Sequence, residues 1–226
     1  MSDKDIVIVS GARTPMAEWV GGKRGDGQPG GALATVSALD LGAVAARAAL
    51  ERAGLPASEI DHVVMGNALQ TSGDAIYGAR HVALKAGVPI QVPALTVNRL
   101  CGSGLESVAQ AAKMLKLGEA RWVLAGGMEN MSQAPHVLRG ARTGFRLGPG
   151  AQLEDSLFVA LRDSYCGCFM AQTSDNLARK YGITRQAQDE FALRSHERAN
   201  TANTNGRFAE ERVTVEVKAE IGRAHV

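Results

Sequence analysis

The stretch Asn98-Arg99-Leu100-Cys101-Gly102-Ser103-Gly104-Leu105 decides how this chain folds. Just before it, Ala94-Leu95-Thr96-Val97 has the composition of a short strand. Just after it, Leu105, Val108, Ala109, Ala112 and Leu115 recur at intervals of three and four. That spacing predicts a helix with one apolar face, with Glu106, Gln110 and Lys113 opposite. A lone cysteine therefore falls at the junction of a strand and a helix N-terminus. Unpaired N–H groups and the positive end of the helix dipole stabilise an anion there, and cysteine attacks as the thiolate. Gly102 and Gly104 leave the approach to it unobstructed. A backbone N–H beside Cys101 would face an oxyanion formed on attack. A buried structural thiol beside a tight turn fits the same residues, and the stretch shows no base that would choose between the two.

Working outward, a length of 226 residues is enough for one good-sized domain or two small ones. The chain is 45% hydrophobic and 21% charged with a formal net charge of +2, which predicts a soluble globular protein. The positive balance is small and scattered and argues against nucleic acid as a partner. No run is long and apolar enough to span a bilayer, so no membrane partner is expected either. The three cysteines have no disulfide-framework spacing, and the first residues carry no apolar signal core. The expectation is a cytoplasmic protein.

Ile6-Val7-Ile8-Val9, closed by Ser10-Gly11, predicts a strand buried on both faces. Gly21 to Gly31 reads as a solvated loop, since Gly22-Lys23-Arg24 lacks the spacing of a phosphate loop. Ser37 opens a helix that Gly54 ends. Strands are expected at His62–Met65, Ala94–Val97 and Trp122–Ala125, with helices at about Ala75–Lys85 and after Cys101. Alternation of this kind predicts an α/β fold, a mostly parallel sheet flanked by helices. Ligands of such sheets sit beyond the strand C-termini, where Cys101 falls. After Gly127 no period is sustained until two helices at about Ala171–Tyr181 and Arg185–Ala202, the second capped by Thr184. Arg212 to Val217 then alternates like a strand. Arg139, Arg142 and Arg146 fit either a phosphate-binding patch or a solvated loop.

Val97 to Leu105, together with Ala125-Gly126-Gly127-Met128-Glu129-Asn130-Met131-Ser132, resembles the thiolase family, whose members make or break a carbon–carbon bond between acyl-CoA units. Gly11-Ala12-Arg13-Thr14-Pro15, Gly87-Val88-Pro89 and Ser132-Gln133-Ala134-Pro135-His136 continue the match in the family's order. The resemblance implies a thiolase-like fold. Residues 1–127 would be the first of two family α/β halves, and 128–220 an α-rich lid or loop excursion that covers the active site. It implies that Cys101 becomes acylated by an acyl-CoA and passes the acyl group on in Claisen condensation or thiolysis. It implies no cofactor beyond coenzyme A thioester as substrate, and a homodimer or homotetramer. Met170 would line the acyl pocket, although a methionine there also fits plain packing.

Several family features are missing. The activating histidine of a Gly-His-Pro motif and the second cysteine of a Cys-x-Gly motif lie in a C-terminal half, and His62, His81, His136, His196 and His225 match neither. Cys166-Gly167-Cys168 lacks the glycine-rich sequel, so neither cysteine is assigned to the proton shuttle. A Cys-x-Cys pair also fits a metal or redox site, but no second ligand pair accompanies it. Phe169 stands where biosynthetic members often carry histidine, which points to a degradative or broader acyl preference. Residues 221–226, Ile-Gly-Arg-Ala-His-Val, leave the family pattern and match one reading frame of a common sequencing adapter. They read as a non-native tail on a truncated gene. Two other readings remain: a half-thiolase that binds or assembles without catalysis, and a ketoacyl-synthase relative, against which the Met128–His136 segment argues.

Overall fold

The computed structural model describes residues 5–17, 31–148 and 150–217. The chain divides into two compact units. One comprises the described residues up to Ala134 and the segment from Glu211, and the other is Pro135–Glu210.

The first unit is an α/β layer structure. Helix α1 (Ala38–Ala53) starts where the Ser37 hydroxyl accepts the Asp40 N–H at 3.1 Å, and ends at Gly54, whose φ of +60° is left-handed. Strand β1 (His62–Gly66), helix α2 (Ala79–Lys85), strand β2 (Ala94–Val97), helix α3 (Ser103–Leu117) and strand β3 (Val123–Gly127) follow. The strand order is β2-β1-β3, all parallel, with Val63 opposite Ala94 and Leu124. Parallel neighbours require crossovers, which α2 and α3 supply. Val63 and Met65 pack with Leu39, Ala46 and Leu50 of α1 and with Val82 and Ala83 of α2. Val64 points the other way, as alternation dictates, and is fully buried on the face that α3 covers.

Several elements depart from the sequence reading. The run Ile6–Val9 forms no strand. Val7, Ile8 and Val9 are 70%, 83% and 54% exposed, because the run pairs with neither edge of the sheet. The helix expected over Ala75–Lys85 is broken. A 3-10 turn, Ala75–Tyr77, ends at Gly78, whose φ of +40° and ψ of −117° no helix accommodates. There an added Cβ would lie 2.2 Å from Thr96 Oγ1, the atom that accepts the first N–H of α2. Arg212 to Val217 forms a single parallel bridge, Arg212 to Arg13, rather than a strand. Arg52, near the end of α1, holds that segment by donating to the carbonyls of Gly11, Glu211 and Arg212.

The faces of α3 divide by size. Its sheet-facing side is Ser103, Ser107 and Ala111, whereas Leu105 is 78% exposed and Val108 and Ala109 also face solvent. The first unit also continues past Gly127, because Met128 donates its N–H to Gly66 O at 2.9 Å and buried Asn130 donates to the carbonyls of Leu33, Ala34 and Val36.

In the second unit, β4 (His136–Leu138) pairs antiparallel with β5 (Leu153–Asp155). Helices α4 (Ser156–Ala160), α5 (Met170–Tyr181) and α6 (Arg185–Thr204) follow. Thr184 caps α6 by accepting the Ala187 N–H at 3.2 Å. No described residue of Pro135–Glu210 is buried. The Gly21–Gly31 loop, except Gly31, and the 221–226 tail lie outside the described residues.

Candidate active site

Cys101 sits, exposed, two residues before α3 begins, in the loop that leaves β2. The loop is shaped by its own polar groups. The Asn98 side chain accepts the Leu100 N–H at 2.9 Å and donates to Ala68 O at 3.0 Å. The Ser103 hydroxyl accepts the Arg99 N–H at 2.9 Å and donates to Leu100 O at 2.6 Å. Between these anchors Leu100 takes a φ of 49°, the one positive φ among the described non-glycine residues. A branched side chain in that region costs roughly 1–2 kcal/mol, so the surroundings must impose it, and such strain gathers at functional sites. Its effect is to turn the chain sharply enough that Cys101 stands outward at the strand end.

The helix that follows lies unusually close to the sheet. A Cβ on Gly66 would come within 2.4 Å of the Ser103 carbonyl carbon, and one on Gly127 within 3.4 Å of Gly104 Cα. No side chain caps the first turn of α3. The Gly102 and Ser103 N–H groups donate to Arg99 O and Leu100 O, the positive end of the helix dipole lies next to Cys101 in the chain, and nothing lies within 4 Å of where a Gly104 Cβ would be. Glu106, also in that turn, pairs with Arg99 at 3.2 Å and accepts from Gln110. Its charge is thus already answered.

Sequence reasoning missed the girdle that aligns the three strand ends. The Glu129 carboxylate, after β3, accepts the N–H groups of Ala68 and Leu69 at 2.9 and 3.0 Å and the Asn67 side-chain amide at 3.0 Å. Asn67 also donates to Met128 O, and its own N–H donates to Val97 O. The loops after β1, β2 and β3 are thereby tied into one rim that carries Cys101. The available signal was an acidic residue two positions after a glycine-ended strand, in Gly126-Gly127-Met128-Glu129.

The other candidates belong to the second unit or have partners of their own. Met170 opens α5 in the second unit and is 59% exposed. Cys166 and Cys168 belong to that unit too. His81 lies 3.5 Å from Asp74 and stacks on Tyr77 at 4.6 Å. The Ser72 hydroxyl and then His81 hold the Asp74 carboxyl below its ordinary range. His62 contacts Val63 O, and His136 stands opposite Asp155 in the β4–β5 hairpin. His196 is exposed on α6, and His225 lies outside the described residues. Arg139 pairs with Glu154, while Arg142 and Arg146 are exposed. Among the described residues no side chain hydrogen-bonds the Cys101 thiol, and no group of three or more His, Cys, Asp or Glu could hold a metal. No described helix is long and apolar enough to cross a membrane.

The site is thus an outward cysteine on a sharp strand-to-helix turn, at the C-terminal edge of a parallel α/β sheet. Comparison with known proteins narrows the class. Residues 6–226 match the family described as "Thiolase, N-terminal domain". The acetyl-CoA acetyltransferase of Cupriavidus necator is 48% identical over 212 residues, which is 93% of this chain and 51% of that protein. The human mitochondrial 3-ketoacyl-CoA thiolase is 43% identical over 220 residues, 97% of this chain and 53% of that one. Its crystal structure in complex with CoA superposes with a TM-score of 0.84 at 44% identity, covering 92% of this chain and 50% of that one. The Bacillus anthracis acetyl-CoA acetyltransferase structure gives 0.85 at 34% identity. The chain belongs to the thiolase family, and it spans about half the length of the relatives it matches.

Proposed function

We propose that this chain is the nucleophile-bearing part of an acyl-CoA C-acyltransferase of the thiolase type. Cys101 Sγ attacks the thioester carbonyl of an acyl-CoA. The C–S bond to coenzyme A breaks in the tetrahedral intermediate, the coenzyme A thiolate leaves, and the acyl group stays on Cys101. The positive end of the α3 dipole and the rim tied by Glu129 set the polar environment of the developing oxyanion. In condensation, a carbanion made by removing the proton beside the carbonyl of a second acyl-CoA attacks the acyl-cysteine; thiolysis runs the same bonds backwards. The observation that carries this reading is the exposed cysteine held at the α3 N-terminus by the Leu100 turn.

Coenzyme A thioester is the substrate, and the reading calls for no resident cofactor. Support for the substrate comes from the human relative, solved in complex with CoA. Met170 is the residue assigned to the acyl pocket. The working form is a homodimer or homotetramer in a reducing compartment, the cytoplasm, in keeping with three free thiols.

The test is acyl transfer to the protein. After incubation with acetyl-CoA, the tryptic peptide 100–113 should carry one acetyl group, and Cys101→Ser should carry none. Because no described side chain activates the thiol, acetylation should be slow, and thiolysis of acetoacetyl-CoA by the chain alone undetectable. Adding a thiolase C-terminal half with its Gly-His-Pro and Cys-x-Gly motifs should restore turnover. Equal acetylation of the wild type and Cys101→Ser would overturn the assignment.

A further inference from the structure

The loop that carries Cys166 and Cys168 belongs to the second unit and is folded back on itself. Arg162 and Phe169 form an antiparallel bridge across it. Inside that bridge the Asp163 N–H donates to Cys168 O at 2.9 Å, and the Gly167 N–H donates to Asp163 O at 2.8 Å. The Asp163 carboxylate accepts the Tyr165 N–H at 2.7 Å. Gly167, between the two cysteines, has a φ of +70°, a left-handed turn that glycine makes without strain. The Cys168 thiol donates to Cys166 O at 3.6 Å. The neighbouring Cys166 pushes the Cys168 thiol up, with burial and Asp163 adding to this and Arg162 opposing it. Cys166 is exposed and Cys168 half-buried.

We infer that Cys166 and Cys168 form a redox-active dithiol that closes to a disulfide within the loop by exchange with a low-molecular-weight disulfide such as glutathione disulfide. Cys166, the exposed sulfur, attacks as the thiolate. The glutathione S–S bond breaks, a mixed disulfide forms on Cys166, and one glutathione thiolate leaves. Cys168 then gives up its proton and attacks the Cys166 sulfur, expelling the second glutathione. The two protein thiols lose two electrons and two protons; the glutathione disulfide takes them up and becomes two glutathione thiols. The ring so formed ends one residue before Phe169, which precedes α5. The oxidation state therefore fixes or frees the entry to that helix and to Met170.

Trypsin separates the two sites, since Cys166 and Cys168 leave together in peptide 163–179 and Cys101 in peptide 100–113. The native chain is equilibrated over a series of glutathione to glutathione disulfide ratios, alkylated and digested. Peptide 163–179 should become lighter by two hydrogens and take up no alkyl group as the oxidised fraction rises, and dithiothreitol should reverse the change. The midpoint should lie at a lower oxidised fraction than for the same chain unfolded in guanidinium chloride, because the native turn at Gly167 already folds the Cys168 thiol back onto Cys166 O. Cys166→Ser and Cys168→Ser should each hold one glutathione instead of closing. A native peptide that stays doubly alkylated, or carries two glutathiones, or closes at the same midpoint as the unfolded chain, would overturn the inference. Each of these outcomes is read independently of acetylation at Cys101.

Discussion

Replacing Gly66 by alanine should damage this fold more than its single methyl group suggests. Gly66 ends β1, pairs with Val97 and Gly127, and accepts the Met128 N–H through its carbonyl. A Cβ there would stand 2.4 Å from the Ser103 carbonyl carbon, 2.6 Å from its oxygen and 2.7 Å from Gly104 N. All three are backbone atoms of the first turn of α3, so no rotamer change relieves the collision and the helix must lift from the sheet. Overpacking a core by a methylene costs about 1–3 kcal/mol, and a rigid backbone partner puts this site at the upper end. For a chain of this size about 3 kcal/mol lowers Tm by roughly 6–12 °C. Thermal melts followed by far-ultraviolet circular dichroism would read it. Gly104→Ala is the internal control: it lies on the same contact, yet nothing sits within 4 Å of its Cβ. Alanine is favoured over glycine within a helix by roughly 0.5–1 kcal/mol, so this variant should melt at or above the wild type. If Gly66→Ala melts with the wild type, or if Gly104→Ala proves the more harmful, the close approach of α3 to the sheet is wrong.

Three other outcomes can be checked. Thr96→Val removes the hydroxyl that accepts the Ala79 N–H at 2.8 Å and so caps α2, whose N-cap Gly78 has no side chain to do so; it should cost about 1 kcal/mol in urea unfolding, and an unchanged midpoint would count against the cap. The Trp122 and Arg121 N–H groups hold the Asp61 carboxyl below its ordinary range. That stabilisation is complete above the unfolded carboxyl pKa near ~3.9 and fades as pH falls through the lower folded value. The advantage of wild type over Asp61→Asn should therefore shrink on acidification, and a gap independent of pH would refute the assignment. Because Pro135–Glu210 has no buried residue, limited trypsin should cut there before it cuts within 38–127; first cleavage at Arg47 or Lys113 would contradict this.

The sheet and its order of elements were legible because they rest on local signals. The Ser37 and Thr184 caps, the Gly54 stop, and the β-branched runs at Val63–Val64 and Val123 each act within a few residues of themselves. The place of Cys101 between a strand and a helix was legible for the same reason: strand, glycines and helix period adjoin it in sequence. The Glu129 girdle was not, since its partners at Asn67, Ala68 and Leu69 are some sixty residues away and a lone glutamate carries no spacing that names them. The break at Gly78 was missed because a glycine inside an apolar pattern is compatible with helix until Thr96, on another element, takes the place its Cβ would need.

Helix α3 is the most instructive element, because its apolar stripe was legible in the sequence while the face that meets the sheet was not. Periodicity identifies the apolar stripe through Leu105 and Val108, and the usual inference turns that stripe toward the sheet. Here the sheet offers glycine at the ends of both β1 and β3, and α3 comes so near that Gly66 has no room for a methyl group. At that separation the face must be chosen by size before hydrophobicity: leucine and valine do not fit over those strand ends, while Ser103, Ser107 and Ala111 do. Burying two hydroxyls would cost several kcal/mol if they were left unpaired. Both are satisfied locally, Ser103 donating to Leu100 O and Ser107 to Gly104 O, each at 2.6 Å. The Ser103 bond is also one of those that hold the Leu100 turn, so the choice of a small polar face brings α3 onto the sheet and sets Cys101 at the rim in one step. The larger apolar residues are then left on the outer face, as they are at Val7–Val9. A hydrophobic stripe in this chain therefore marks a surface fit for contact without naming which surface meets it.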